Sequence, residues 1–275
     1  MVLESILNPK NAEDKPWHVF LISFFYTLIA VFFAHKLFPS EASILSVALV
    51  TILFVPFFQK LFELEEEKED AAAQKRLAGN MISRHKQTMT VFSAFFLGTA
   101  ISMTFIFVFF PEFSAAFSLQ SDVVRQLNPS AATGAAYDTF GTFWNFFSNN
   151  TQVMLLVFIM SAMFGAGAIF VLAWNASIIS VFSGFAVQKL IGQGLPVHYA
   201  FAYGLPVSLG SIALHGIPEI FAYFIAGLAG GILSVGIIRE ELGSKEFRLV
   251  LKDSIIFLSI AEVMIMAAAY LEAIF

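Results

Sequence analysis

Cysteine is absent from the 275 residues, which excludes disulfides, thiolate metal sites and a cysteine nucleophile. Charge is sparse as well. Asp, Glu, Lys and Arg make up 13% of the chain, about half the share of an ordinary soluble domain. With 15 basic against 20 acidic residues and a net charge of −5, there is no basic balance of the kind that nucleic acid attracts, so no nucleic-acid partner is expected. The chain also lacks a Walker loop, a dinucleotide-binding glycine pattern, a His-Glu-x-x-His signature and a nucleophile elbow. No catalytic residue and no cofactor is implied, and the reading is non-enzymatic.

Apolar residues fill the space that charge leaves. They form 58% of the chain, including 34 phenylalanines, and the mean hydropathy is +0.80. A soluble core cannot absorb so many long apolar runs at this length, whereas a bilayer requires runs of about 20 residues. The fold class expected is all-α: one polytopic membrane domain over residues 1–275, with the lipid bilayer as its solvent. Three spans are plain, His18 to Ala34, Ala42 to Phe58 and Thr88 to Phe110, and a last one runs from Ser254 to Ile274. Before them, Val2-Leu3, Ile6-Leu7 and Trp17 suggest a short amphipathic helix entering the membrane at Pro16-Trp17. No removable signal peptide is evident, because no early small-residue cleavage site follows the acidic and basic residues of the first fifteen positions.

Charges concentrate in two places. Glu63 to Asp70 is acidic and passes through Ala71-Ala72-Ala73 into Lys75, Arg76, Arg84 and Lys86. Good helix formers with acids first and bases last suit the helix dipole. Residues 61–87 are therefore expected to be a solvated helical hairpin, either a spacer or a surface for a partner protein. Residues 111–149 contain a single basic residue, Arg125. By the positive-inside rule the connector and the N-terminus are cytoplasmic, residues 111–149 are extracytoplasmic, and Arg239 to Asp253 is cytoplasmic again. The expected location is the cell membrane.

Between Asn149 and Arg239 this topology demands an odd number of crossings, yet the apolar material falls into four pieces. These are Thr151 to Leu172, Ala176 to Leu190, Val197 to Leu214 and Ile217 to Ile238. Broken or re-entrant helices over the two shortest pieces would restore the parity, since irregular backbone survives at membrane depth when it is buried in protein or lines a wet cavity.

The break His215-Gly216-Ile217-Pro218-Glu219 is the best candidate site. Ionisable groups cost roughly 2.5–3.5 kcal/mol at the centre of a membrane helix, so those retained usually face a partner or a cavity. Pro218 suits the first turn of a new helix and Glu219 would meet the positive end of its dipole. The residues read first as a capped helix junction, then as a proton- or cation-handling site, and last as part of a metal-dependent catalytic site; a metal is left open. Glu262, near the middle of the last span, would join His215 and Glu219 in a coupled titrating cluster if the fold brings it there. Asn150 and Asn175 bracket the fourth helix and are expected to satisfy free backbone groups at its ends. Gly227-x-x-x-Gly231 supplies a smooth face for close packing, within one chain or between the copies of a homo-oligomer.

An ordered set of motifs carries a resemblance. Asn149-Asn150 opens an apolar helix that contains Gly165-x-Gly167 and ends at Trp174-Asn175-Ala176. Leu214 to Glu219, the glycine-rich stretch Ile225 to Gly231 and Leu271-Glu272-Ala273 follow. The pattern, from about Phe147 to Phe275, resembles the stage II sporulation protein M (SpoIIM, DUF95) family, and Leu3 to Lys10 before Pro16-Trp17 resembles its archaeal members. The resemblance implies an integral membrane protein of undefined molecular activity, with Asn150, Asn175 and Glu272 as family-motif polar residues. It also implies a bacterial namesake in a membrane-remodelling complex with peptidoglycan hydrolases. The functional expectation is a transporter- or channel-like component with a polar intramembrane site; the alternatives are a scaffold that recruits partners and an intramembrane hydrolase.

Overall fold

A computed structural model describes residues 9–74, 85–127, 139–241 and 243–274. Among them are nine α-helices: α1 (Pro9–Asp14), α2 (Pro16–Leu37), α3 (Ala42–Gln74), α4 (Lys86–Phe109), α5 (Ser118–Leu127), α6 (Thr139–Phe164), α7 (Ala168–Gly192), α8 (Val197–Arg239) and α9 (Lys245–Ile274). Two 3-10 turns, Pro39–Glu41 and Pro111–Phe117, precede α3 and α5. Seven helices, all except α1 and α5, are long and apolar enough to cross a membrane. The expected all-α polytopic bundle is the fold. The amphipathic residues Val2 to Leu7 lie outside the described residues, as do Lys75 to Arg84 of the connector.

Two devices hold the bundle together. The first is close backbone approach at small residues. On α2, Ser23, Thr27, Ala30 and Ala34 are buried at helical spacing while Phe25, Ile29, Phe32 and Phe33 stay exposed on the other face. Gly98 of α4 packs so tightly there that an added Cβ would stand 2.5 Å from the Phe20 carbonyl oxygen, and the Ser102 hydroxyl donates to the Phe24 carbonyl at 2.8 Å. The glycine stretch of α8 works likewise, inside one chain. A Cβ at Gly230 would lie 2.4 Å from the Phe158 carbonyl oxygen of α6, and one at Gly231 would strike the Phe62 ring of α3 at 2.6 Å. Lipid tails are as apolar as leucine, so such dispersion packing drives helix association more than burial does. The second device is a phenylalanine core. Phe58 stacks on Phe92 with ring centroids 5.1 Å apart, and Phe92 stacks on Phe224 at 5.5 Å, joining α3, α4 and α8.

The middle of the chain departs from the sequence reading. Broken or re-entrant helices are not found at the expected places: α8 runs unbroken from Val197 to Arg239 through Pro206 and Pro218. Each proline removes one backbone hydrogen bond, but interrupting the helix in hydrocarbon would strand several more groups at several kcal/mol each, so the helix closes around it. Trp174-Asn175 is no division either, because α7 passes through it. The reversal lies earlier, at Gly165 to Gly167, where Gly165 has φ +60. That left-handed conformation suits glycine, and it ends α6 and redirects the chain into α7. Three membrane-length helices therefore connect residue 139 to residue 239, an odd number.

The described part of the connector, residues 61–74, is helical and only partly solvated, with Glu63 and Glu67 exposed. Helix α3 extends beyond its apolar part to Gln74, and Glu65 and Glu66 on that extension are 0% and 1% exposed.

Candidate functional site

Because α8 continues through Pro218, His215, Glu219 and Tyr223 recur at helical spacing on one face. The Tyr223 hydroxyl donates to Glu219 Oε1 at 2.8 Å. Glu219 is thus bonded within a helix and does not cap one. From the antiparallel α9, Glu272 places Oε1 3.9 Å from His215 Nε2, and both side chains keep about a quarter of their surface, 25% and 23%. Glu219 and Glu272 also lie within electrostatic reach of each other and of Tyr223. Two carboxyls, an imidazole and a phenol meet where α8 packs against α9. Such a group can share, accept and release protons.

Glu262 does not join this set. Thr151 of α6 donates to Glu262 Oε1 at 3.0 Å, and no hydrogen bond or ion pair among the described residues links Glu262 to His215 or Glu219. Its other oxygen, Oε2, is buried and without a hydrogen-bond partner. The reason is register: Glu262 lies ten residues below Glu272, which is roughly 15 Å along α9, and it turns toward α6. Asn150 and Asn175 are not at helix ends. Asn150 is buried inside α6, where Asn149 Nδ2 donates to its Oδ1 at 3.1 Å. Asn175, inside α7, donates back to the Val171 carbonyl at 2.8 Å. No group of three or more His, Asp or Glu side chains among the described residues is arranged to hold a metal ion.

The sequence reading passed over Tyr223, whose spacing of four from Glu219 was a usable signal. It also passed over a second polar network at the end of the bundle that carries the connector. There Lys68 Nζ lies 2.6 Å from both Glu13 Oε1 and Glu65 Oε1. The buried His85 Nδ1 bonds Glu65 Oε2, and Thr88 donates to Glu13 at 3.2 Å. Arg239, in the last turn of α8, reaches Glu66 Oε2 at 3.0 Å. Helices α1, α3, α4 and α8 are tied together by these contacts. Each buried charge has an opposite partner, which is the condition under which burial is tolerated. Burial pushes the Glu13 carboxyl above its ordinary range, against the pull of the Lys68 ammonium.

Seven membrane-length helices with an apolar outer face define a polytopic α-helical integral membrane protein. The chain belongs to the stage II sporulation protein M (SpoIIM) family, whose model matches residues 19–275, from α2 to the end of the chain. No curated protein and no solved structure matches it.

Proposed function

We propose that this protein is a transporter- or channel-like membrane component, non-catalytic, in which His215, Glu219 and Glu272 handle protons or small cations. One observation carries the reading. The three side chains converge where two membrane-length helices pack together, and His215 and Glu272 retain surface through which protons can exchange. Purely structural polar groups in a membrane bundle are normally single hydrogen bonds between helices; a cluster of titratable ones serves ion pathways and proton relays. The orientation proposed is connector and N-terminus cytoplasmic, from the lysines and arginines around residues 61–87.

The test is flux. Purified protein reconstituted into vesicles enclosing a pH-sensitive dye should dissipate an imposed pH or cation gradient, and Glu219→Gln should fold normally yet abolish that activity. Equal flux in protein-free vesicles would overturn the reading. For the orientation, cysteines placed singly at Arg76 and Asp122 should divide: an impermeant thiol reagent on intact cells should label position 122 and spare 76.

A scaffold that recruits partner proteins is the second reading. It is favoured by the Glu13, Glu65, Lys68 and His85 network, which fixes the helical extension of α3 against the bundle as a platform.

A further inference from the structure

Helix α8 touches α4 at two places. The Phe201 ring lies against Phe105 and Phe109 of α4, and the Phe224 ring against Phe92 and Phe96. Pro206 and Pro218 lie between these contacts. Two glycines of the same stretch have open space beside them. A Cβ added at Gly210 would meet nothing within 4 Å, and one at Gly216 only the Ile212 side chain of its own helix at 3.9 Å, in contrast to the pinched Gly230 and Gly231.

Beside this stretch lies a cavity of about 440 Å³ between α4, α7 and α8, walled by Phe96, Ala100, Ile179, Ala213 and Ile220 among others. Its volume falls in the range of sites for small ligands. Ser93 is the one lining residue with a polar side chain, and its hydroxyl already donates to the Met89 carbonyl at 2.8 Å. Ordered water requires two to four polar partners, and this wall offers none free. The cavity is continuous with the outer surface of the bundle through Leu97 and Ile217, which line it and are 42% and 54% exposed. In a chain with seven membrane-length helices that surface faces lipid.

We propose that this cavity is a binding site for a single acyl chain of a membrane lipid, inserted from the bilayer between α4 and α8. An unfilled apolar volume loses dispersion contacts on all its walls, water is excluded by the lack of partners, and hydrocarbon is the apolar species present at the mouth. This part of α8 then has two working faces. Gly216, Ile217 and Ile220 touch the lipid chain, while His215 and Glu219 on the opposite side face α9. The proposal stands apart from proton handling, because none of the titrating side chains lines the cavity.

The test uses the full chain in phosphatidylcholine vesicles containing a phosphatidylcholine with a photoactivatable diazirine midway along one acyl chain. After irradiation, the peptides carrying Ser93 to Ala100, Ile179 and Leu209 to Ile220 should be labelled several-fold more than those carrying the lipid-facing Phe25 and Ile159. Ala213→Phe, which fills the cavity from α8, and Ala100→Leu, which fills it from α4, should each lower the first labelling and leave the second unchanged. Equal labelling of the two sets in the unsubstituted protein would overturn the proposal whatever the variants do. So would undiminished cavity labelling in a filled variant that remains monodisperse.

Discussion

Tyr223 and Glu219 are joined by a 2.8 Å hydrogen bond across one turn of α8, and this places the carboxyl of the best sequence-level candidate inside a continuous helix. The consequence is a measurable coupling. Tyr223→Phe leaves a mostly buried carboxyl short of a donor and should destabilise the detergent-solubilised protein by about 1–3 kcal/mol. Glu219→Gln keeps an acceptor oxygen and should cost less. The double variant should lose clearly less than the sum of the two; strict additivity in thermal unfolding would mean that the bond contributes nothing.

Neighbouring glutamates on α3 should behave oppositely. Glu65 is buried against His85 and Lys68, whereas Glu67 is 63% exposed beside Arg239. Glu65→Gln breaks a buried pair and should cost about 3 kcal/mol. Glu67→Gln should change stability by under about 1 kcal/mol. Equal effects in denaturant titrations would show that the connector end is not packed.

Glu13 gives a pH dependence whose sign can be worked out. Its carboxyl is raised above the ordinary 4.5 by burial, so the folded protein prefers it neutral. The associated stability is fully present below the ordinary value and is lost as pH rises through the raised one. Glu13→Gln is always neutral and escapes that loss. Its melting temperature relative to the unsubstituted protein should therefore rise as pH increases from the ordinary value of 4.5 through the raised one. A difference that falls over the same interval would show that the Lys68 ion pair outweighs burial.

Glycines in one helix should divide by what surrounds them. Gly230→Ala drives a methyl group to 2.4 Å from the Phe158 carbonyl oxygen and should cost about 1–3 kcal/mol through overpacking. Gly210→Ala meets nothing and should be neutral or stabilising by up to about 1 kcal/mol, since alanine is the better helix former. Unfolding of both variants in the same detergent tests the pair.

What could be read from the sequence follows from what hydrocarbon enforces. The spans that became α2, α3, α4 and α9 were legible because their apolar runs are uninterrupted and their flanks charged. The divisions among α6, α7 and α8 were misplaced because glycine and proline punctuate a soluble chain more strongly than a membrane one. Pro218 sits within a helix that stays closed, while Gly165 was placed inside an apolar helix and is the turn. His215 and Glu219 were legible as a candidate pair, but as the two sides of a break, whereas the helix continues through them. The approach of Glu272 to His215, and the separation of Glu262 from both, depend on the register of α9 against α8, which no local pattern encodes. The partners Glu13, Lys68, Glu65 and His85 come from three separate segments, so each alone looks like surface charge.

The central claim, that the cluster between α8 and α9 titrates within the membrane, is tested most directly by infrared difference spectroscopy of the reconstituted protein between acidic and alkaline pH. The expected result is a protonated-carboxyl band that appears with pH and has a component that shifts in Tyr223→Phe, where its hydrogen bond is lost, and is missing in Glu219→Gln, while the exposed-site control Glu67→Gln leaves it intact. A spectrum unchanged by Glu219→Gln would contradict a titrating site there and leave the Glu219 and Tyr223 pair as a structural bond.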